Sequence, residues 1–453
     1  MTDRTHSSLK QRIFAAGGWT VAGFGLGQAL RFGTSLLMTR LLVPEMFGVM
    51  AIANMIMIGL AMFSDIGLRQ NVVQSKRGSD PGFLNTAWGI QILRGVLLAL
   101  LALGASLLLV IAIRIGMVPA GSVYADSILP YVIVVASIST LISGFESTKL
   151  LQATRNLSLR RVTQIEIGSQ VIGVLCMIAW VAVDRSIWAL VVGSLCMALA
   201  RVLLSHVWLP GVANRWQWDD TAYREIIGFG KWIFVSSILG FLVNNGDRLL
   251  LGGLVNPAVL GVYTIAYLMV TTVEAVLAKI IGEVSFPALS EIARERPARL
   301  KSIYYRFHVM IASCAYISSG ILMVSGGALI RLLYDLRYDQ AGWMMEILAA
   351  ALLTIPFRLA TQCLMALGMP RLLSNVIAVR LVALYVITPI GFHFWGLQGA
   401  LWGIVSSSFA TLPPTIYYAV KYGLFDMRKE LLLLPAVLVG MMVGKVFNLT
   451  VGL

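Results

Sequence analysis

The stretch LLMTRLLVPEMFGVMAIA, residues 36–53, has a counterpart later in the chain in LLLGGLVNPAVLGVYTIA, residues 249–266. Both stretches are in one register without a gap, and Pro257 lies 213 residues after Pro44. Other pairs at the same offset are Trp19 and Trp232, and Leu151 and Leu364. Chance could supply matches among Leu, Gly and Ala, but it explains the Trp and Pro matches poorly. Two like halves in one membrane chain are typical of secondary transporters.

The composition indicates a membrane protein. Of the 453 residues, 58% are hydrophobic and 12% are charged, whereas soluble domains carry about 25% charged residues. The net charge of +14 would suggest nucleic-acid binding in a soluble protein. Here most Lys and Arg lie in short loops between apolar runs, so membrane topology explains them and no nucleic-acid partner is expected.

Apolar runs long enough to cross a bilayer recur along the whole chain. They lie at roughly 14–40, 46–68, 84–113, 128–149, 162–183, 187–210, 228–253, 258–282, 304–330, 343–367, 373–393, 397–420 and 431–453. The sequence therefore predicts an all-α polytopic membrane protein. It would have two pseudo-symmetric six-helix lobes, about twelve spans in all, and a thirteenth C-terminal helix.

These runs divide the chain into four parts. We expect an N-lobe at 1–210, an interfacial linker rich in Trp and charge at 211–227, a C-lobe at 228–421 and the extra helix at 422–453. Alternate loops, starting with 1–15, hold 22 Lys and Arg, and the opposite loops hold five. By the positive-inside rule this bias predicts a cytoplasmic N-terminus.

Basic residues within the predicted spans are candidates for an anion site. A charge near the bilayer centre costs at least ~2.5–3.5 kcal/mol on insertion scales, so it normally faces a wet cavity or a partner. We expect Arg31 and Arg248 to contact an anionic headgroup, with Arg94 and Arg358 as further candidates. The alternative for each is an ion pair between helices or snorkelling to the interface. The remaining basic residues in spans are Arg201, Lys279, Arg380 and Lys445.

Two acidic residues are candidates for a coupling-ion or proton site. Asp247 directly precedes Arg248, so the two side chains point to different helix faces, and Glu274 has no partner nearby in sequence. The other acids in spans have local partners, since Asp65 and Arg69, like Lys279 and Glu283, are four residues apart. Coupling to H⁺ or Na⁺ is therefore left open.

Enzyme signatures and cofactor motifs are absent from the sequence. Gly230-Lys231 is followed by Trp232 and so is no Walker A motif, and no Gly-x-Ser-x-Gly elbow occurs. The four histidines lack metal-ligand spacing. We expect a transporter that is not an enzyme and that holds no metal or cofactor.

Several motifs resemble the polysaccharide-transporter (Wzx-type) branch of the multidrug/oligosaccharidyl-lipid/polysaccharide (MOP) exporter superfamily. In the first half they are RLLVPEMFG (40–48) and SDIGL (64–68). In the second half they are DRLLLG (247–252), GVY (261–263) and FPALS (286–290). The resemblance covers most of the chain and is strongest at the start of each half.

The resemblance implies a flippase of the bacterial inner membrane. Such a protein moves an undecaprenyl-diphosphate-linked oligosaccharide repeat unit across the bilayer by alternating access, for exopolysaccharide, capsule or O-antigen synthesis. Its partners would be that lipid, the bilayer and the polysaccharide polymerase or export machinery. An ion-coupled drug antiporter of the same superfamily is the first alternative, and a membrane polysaccharide polymerase or ligase is the second.

Overall fold

The chain is all-helical, as the sequence predicts. The computed structural model describes residues 9–156 and 158–451, and this part contains helices and turns but no β-strand. Each predicted apolar run coincides with a helix or a pair of consecutive helices. Within the described part, nine helices are long and apolar enough to span a membrane, or ten if a bent pair counts as one span. The figure of twelve spans plus one stays a prediction.

The first compact unit comprises Met1–Phe241. A bend of 65° separates the helix Leu129–Gly144 from the short helix Lys149–Arg155, whereas the sequence predicts a span at roughly 128–149 without a bend. Its helices are α1 (Leu9–Leu41), α2 (Pro44–Phe63), α3 (Leu68–Gln74), α4 (Pro81–Arg114), α5 (Leu129–Gly144), α6 (Lys149–Arg155), α7 (Leu159–Val183), α8 (Trp188–Val207) and the first part of α9 (Asp220–Leu254).

The second compact unit comprises Leu242–Leu453. It holds the rest of α9, and the division into four parts made from the sequence stays a prediction. The further helices are α10 (Pro257–Ile280), α11 (Phe286–Glu295), α12 (Leu300–Leu333), α13 (Ala341–Ala349), α14 (Arg358–Ala366), α15 (Pro370–Phe409), α16 (Leu412–Lys421), α17 (Met427–Leu433) and α18 (Pro435–Val451).

The sequence repeat marks equivalent helix boundaries. Helix α1 ends at Leu41 and α2 begins at Pro44, while α9 ends at Leu254 and α10 begins at Pro257. Proline suits the first position of a helix because its missing N–H would have no intrahelical partner there. In the second half Asn256 completes the cap, since its side chain accepts a hydrogen bond from the Val259 N–H at 2.9 Å. The repeated prolines thus set where the second helix of each half starts.

Irregular helical turns in the second unit shape its interior. A π-helical turn, Ile281–Ser285, joins α10 to α11, and a 3₁₀ segment, Ala350–Phe357, joins α13 to α14. Helix α15 breaks at Trp395 and Gly396, and Gly396 has a φ of 57°. Such a positive φ favours glycine because it lacks a Cβ. Of these irregular segments, the 3₁₀ turn contributes Ala351 to the wall of a cavity in this unit.

Candidate functional site

A cavity of about 80 Å³ lies inside the second unit. Helices α9, α10, α13, α14 and α15 contribute to its wall. Four acidic or basic side chains line it, Asp247, Glu274, Arg358 and Arg380. Ionisable groups inside a membrane domain mark substrate or ion pathways more often than packing contacts. This cavity is therefore the candidate site.

Glu274 and Arg358 form an ion pair across the cavity. Arg358 Nη2 lies 2.6 Å from Glu274 Oε1, and the side chains are 37% and 32% exposed. The sequence shows no local partner for Glu274 because its partner comes from α14, 84 positions later. Since both groups keep accessible surface, a charged ligand can reach them. An ion pair with one side open can exchange partners at lower cost than a fully buried one.

Asp247 is held by a neighbouring helix. Its Oδ2 accepts a hydrogen bond of 2.5 Å from the Tyr263 hydroxyl, and both residues are buried. Tyr263 lies in the first part of α10, two residues after Gly261 in the repeated stretch. The carboxylate therefore has a fixed position on the cavity wall.

Arg248 lies beside the cavity and contacts it through an aromatic ring. Its guanidinium carbon is 4.3 Å from the centre of the Tyr267 ring, and Tyr267 lines the cavity. Its Nη1 also faces Asn245 Oδ1 at 3.4 Å. A cation over an aromatic face is attracted by the ring quadrupole. Arg248 thus adds positive charge next to the wall formed by Tyr267.

Arg380 is the residue that sequence reasoning undervalued. Its Nε is buried and, among the residues that the structure describes, has no hydrogen-bond partner. Arg358 and Glu274 are close enough to interact with it electrostatically. The sequence gives Arg380 only as one of the remaining basic residues within spans, but it lies ten residues into α15, which begins at Pro370. The predicted span starts at 373, three residues after α15 begins, so Arg380 lies deeper in the helix than the sequence indicates.

The two remaining candidates lie in the first unit. Arg94 donates hydrogen bonds to the Ala61 carbonyl at 2.6 Å and to Ser64 Oγ at 3.0 Å. These contacts satisfy carbonyl and hydroxyl groups at the end of α2, which is a structural task. Arg31 is exposed on α1, and the described part of the chain provides no ion pair for it. Their role as headgroup contacts stays a prediction.

The charge balance of the cavity favours an anion. Two guanidinium groups, Arg358 and Arg380, and two carboxylates, Asp247 and Glu274, line the cavity, and a third guanidinium, Arg248, lies beside it against Tyr267. Together these five groups carry one net positive charge. The Nε of Arg380 has no hydrogen-bond partner among the described residues. Guanidinium groups bind phosphate oxygens through planar, paired hydrogen bonds. Within the described residues, no group of three His, Cys, Asp or Glu could hold a metal ion.

The family described as "Polysaccharide biosynthesis protein" matches residues 37–342. A curated relative is the lipopolysaccharide biosynthesis protein WzxC of Escherichia coli (strain K12). It is 20% identical over 344 residues, which are 74% of this chain. The chain spans 65% of that relative's length.

Solved structures share the fold. The lipid II flippase MurJ, in an inward closed conformation, aligns with a TM-score of 0.68 and 12% identity, over 96% of this chain and 93% of that chain. An inward-facing MATE family transporter of the MOP superfamily aligns with a TM-score of 0.63 and 13% identity, over 88% of this chain and 94% of that chain. At such identities the likeness concerns the fold alone.

Proposed function

Because this chain belongs to the family of polysaccharide biosynthesis proteins, we propose that it is a lipid-linked oligosaccharide flippase of the MOP superfamily. Its substrate is an undecaprenyl-diphosphate-linked repeat unit for exopolysaccharide, capsule or O-antigen synthesis. It works by alternating access in the bacterial inner membrane, with a cytoplasmic N-terminus. The translocated lipid then becomes the substrate of the polymerase or export machinery. The observation that carries the proposal is the cationic cavity around Arg380.

The diphosphate binds where guanidinium groups are available. Arg380 Nε is free to donate a hydrogen bond, and Arg358 can exchange Glu274 for a phosphate oxygen. Arg248 adds attraction from beside Tyr267 without having to leave its ring contact. Charge-assisted hydrogen bonds of this type are about twice as strong as neutral ones. The headgroup is therefore held by charge, while the polyprenyl tail stays in the lipid.

The same exchange offers a route for ion coupling. When a phosphate takes Arg358, Glu274 loses its cationic partner and becomes a carboxylate open to the cavity. Such a carboxylate favours the uptake of H⁺ or Na⁺, which would restore the charge balance. Asp247, already bonded by Tyr263, is the second candidate for this role. Substrate and coupling ion would then compete through one ion pair.

The drug-antiporter alternative needs free acidic groups for a cationic substrate. Here Glu274 is paired with Arg358, and Asp247 accepts the Tyr263 hydrogen bond. The group that lacks a partner in the described part of the cavity is instead the Arg380 nitrogen. The sign of the available charge thus supports an anionic headgroup over a cationic drug.

A deletion strain tests the proposal. Without the protein, lipid-linked oligosaccharide should accumulate in the cytoplasmic leaflet, and extraction followed by mass spectrometry should detect it. Wild-type protein should clear the intermediate, and the Arg380→Gln variant should clear it more slowly. If no such lipid accumulates and export of a cationic dye falls instead, the flippase proposal is wrong and the antiporter alternative gains.

A further inference from the structure

A second cavity, of about 640 Å³, opens on the second unit and shares no lining residue with the charged one. Its volume falls in the range of small-molecule sites, roughly 300–1,000 Å³. Two helical faces supply most of its wall: Trp343, Glu346 and Ile347 on α13, and Leu397, Gln398 and Trp402 on α15. We name it the tryptophan groove.

The break in α15 places one wall of the tryptophan groove. Gly396, with a φ of 57°, ends the first part of α15, and the second part starts directly after it. Gln398 and Trp402 are then one helical turn apart, so they lie on the same face. Both side chains are exposed. The glycine break thus presents an amide and an indole ring side by side.

Close packing of α12 and α13 places the opposite wall. A Cβ on Gly342 would come within 2.7 Å of Gly327 Cα, so the two helices touch through glycine backbone. Glu346 lies one turn further along α13, and its Oε1 accepts a hydrogen bond of 3.1 Å from the Gly327 N–H. Trp343 is three residues before Glu346 and shares its face. The carboxylate is thereby fixed beside an indole ring.

The chemistry of the groove differs from that of the charged cavity. Among the described residues that line it, none is Lys or Arg, so the groove offers nothing to a phosphate. It combines two indole rings, an amide that both donates and accepts hydrogen bonds, and a carboxylate that only accepts. A sugar ring has an apolar C–H face and a rim of hydroxyl groups. Indole rings fit the face, and the amide and carboxylate fit the hydroxyls.

We propose that the tryptophan groove binds a neutral saccharide, the sugar part of the transported lipid. The proposal deepens the proposed function and rests on it. The Lys and Arg distribution predicts that residues 331–342 and 394–396, which flank the groove, lie on the outward side. The sugar would therefore meet the groove on arrival at the outer face, apart from the diphosphate site.

The test is saccharide binding by the full chain in lipid nanodiscs. Detergents with maltoside heads are avoided because they carry a sugar themselves. The probes are neutral trisaccharides of glucose, of galactose and of N-acetylglucosamine, and the readout is saturation-transfer NMR to the sugar C–H protons. At least one trisaccharide should bind at millimolar concentration, and Trp402→Ala should weaken that binding about 2- to 10-fold, as expected for one lost ring contact.

Trp180→Ala is the matched control, because Trp180 has similar exposure (39% against 46% for Trp402) but lies on α7. It should leave binding unchanged. Gln398→Ala, at an exposed position, is a second groove variant that keeps the test valid if Trp402→Ala misfolds. The proposal is overturned if no trisaccharide binds, or if both tryptophan variants weaken binding equally. It is also overturned if the cation tetraphenylphosphonium binds in this groove and the sugars do not.

The outcome separates this inference from the proposed function. If saccharides bind in the groove but no lipid-linked oligosaccharide accumulates in the deletion strain, the saccharide-site proposal is retained and the flippase proposal is wrong. If the lipid accumulates but no saccharide binds, the flippase proposal is retained and the saccharide-site proposal is wrong.

Discussion

Arg380 illustrates how one buried nitrogen can identify a ligand class. A buried polar group without a partner costs free energy, about 1–3 kcal/mol and more for a charged group. Its Nε has no partner in the described part of the chain, while Arg358 next to it is paired with Glu274. A phosphate oxygen could accept a hydrogen bond from Arg380 Nε. Substrate binding would then supply the hydrogen bond that this nitrogen lacks in the folded protein.

The Arg380→Gln variant should lower the rate of lipid translocation. Loss of a charge-assisted hydrogen bond costs about 1.5–3 kcal/mol, or roughly 10- to 100-fold in affinity. Initial rates in inverted membrane vesicles, at subsaturating substrate, would measure the effect. Arg185→Gln, at an exposed loop position, is the control and should retain the wild-type rate. Equal rates for both variants would contradict the assignment.

Glu430 is expected to stabilise the second unit through His308. Its carboxylate lies 3.0 Å from His308 Nε2 and accepts a 3.1 Å hydrogen bond from the Tyr305 hydroxyl, and all three residues are buried. Glu430→Ala should therefore destabilise the protein by about 1–3 kcal/mol, because it leaves the buried His308 Nε2 without this partner. Thermal unfolding in detergent would show this, with exposed Glu295→Ala as the control. An unchanged midpoint for Glu430→Ala would refute the role.

The linker residue Asp219 should make stability depend on pH. Hydrogen bonds from the Thr221 hydroxyl and from Arg77 hold the pKa of the Asp219 carboxyl well below its usual value of 3.8. A lowered folded-state pKa stabilises the protein above the usual pKa, and this contribution disappears as pH falls through the folded-state value. Asp219→Asn should thus lower the unfolding temperature at neutral pH, and the difference from wild type should shrink below roughly pH 4.

Asp220→Asn is the control for this pH profile, since Asp220 is the exposed neighbour at the start of α9. It should change the unfolding temperature little at any pH. A difference between wild type and Asp219→Asn that stays constant down to acid pH would show that the carboxylate charge is not what stabilises the linker.

At the scale of elements, helix α18 packs on α12 through glycine. A Cβ on Gly440 would lie 3.0 Å from Ile317 Cα, and a Cβ on Gly320 would lie 2.8 Å from the Met441 nitrogen. Gly440 and Gly444 also have the four-residue spacing typical of close helix contacts in membranes. The extra C-terminal helix is therefore an integral part of the second unit.

Gly440→Leu should separate α18 from α12. Overpacking costs about 1–3 kcal/mol, and backbone atoms cannot move aside as a flexible side chain could. The unfolding temperature should fall, and limited proteolysis should release the C-terminal segment. Gly104→Leu is the matched control, because nothing lies within 4 Å of a Cβ at that helical glycine. Leu favours a helix more than Gly does, so Gly104→Leu should cost no stability, and similar losses for both variants would contradict this role of close packing at Gly440.

Individual elements also show what could be predicted from the sequence. Length and apolarity are local properties, so the helices and the proline that begins α10 follow from residues close together in the chain. The bend between α5 and α6 depends on packing, and the sequence predicts no bend there. The break at Gly396 falls at 394–396, between the predicted spans 373–393 and 397–420, so its position is confirmed. The pairing of Glu274 with Arg358 joins two separate helices, and a single sequence holds no record of that contact.

At the scale of the whole molecule, the repeated residues determine the helical scaffold, and the charged residues that differ between the halves form the candidate site. Asn244 lines the charged cavity of the second unit, and Arg31 stands 213 residues before it, at the equivalent position of the first half. The repeated Pro, Gly and Leu residues set helix starts and contacts, whereas the charges differ between the halves. This difference suits an asymmetric substrate with an anionic headgroup, and it keeps Arg31 as a predicted headgroup contact.

The most direct measurement is translocation by the purified protein in proteoliposomes. Lipid-linked oligosaccharide from the deletion strain would be placed in the inner leaflet, and its arrival in the outer leaflet would be followed with an impermeant sugar-oxidising reagent. The account predicts protein-dependent arrival that is fast with wild type and at least about tenfold slower with Arg380→Gln. Equal arrival in protein-free liposomes, or equal rates for wild type and variant, would contradict it.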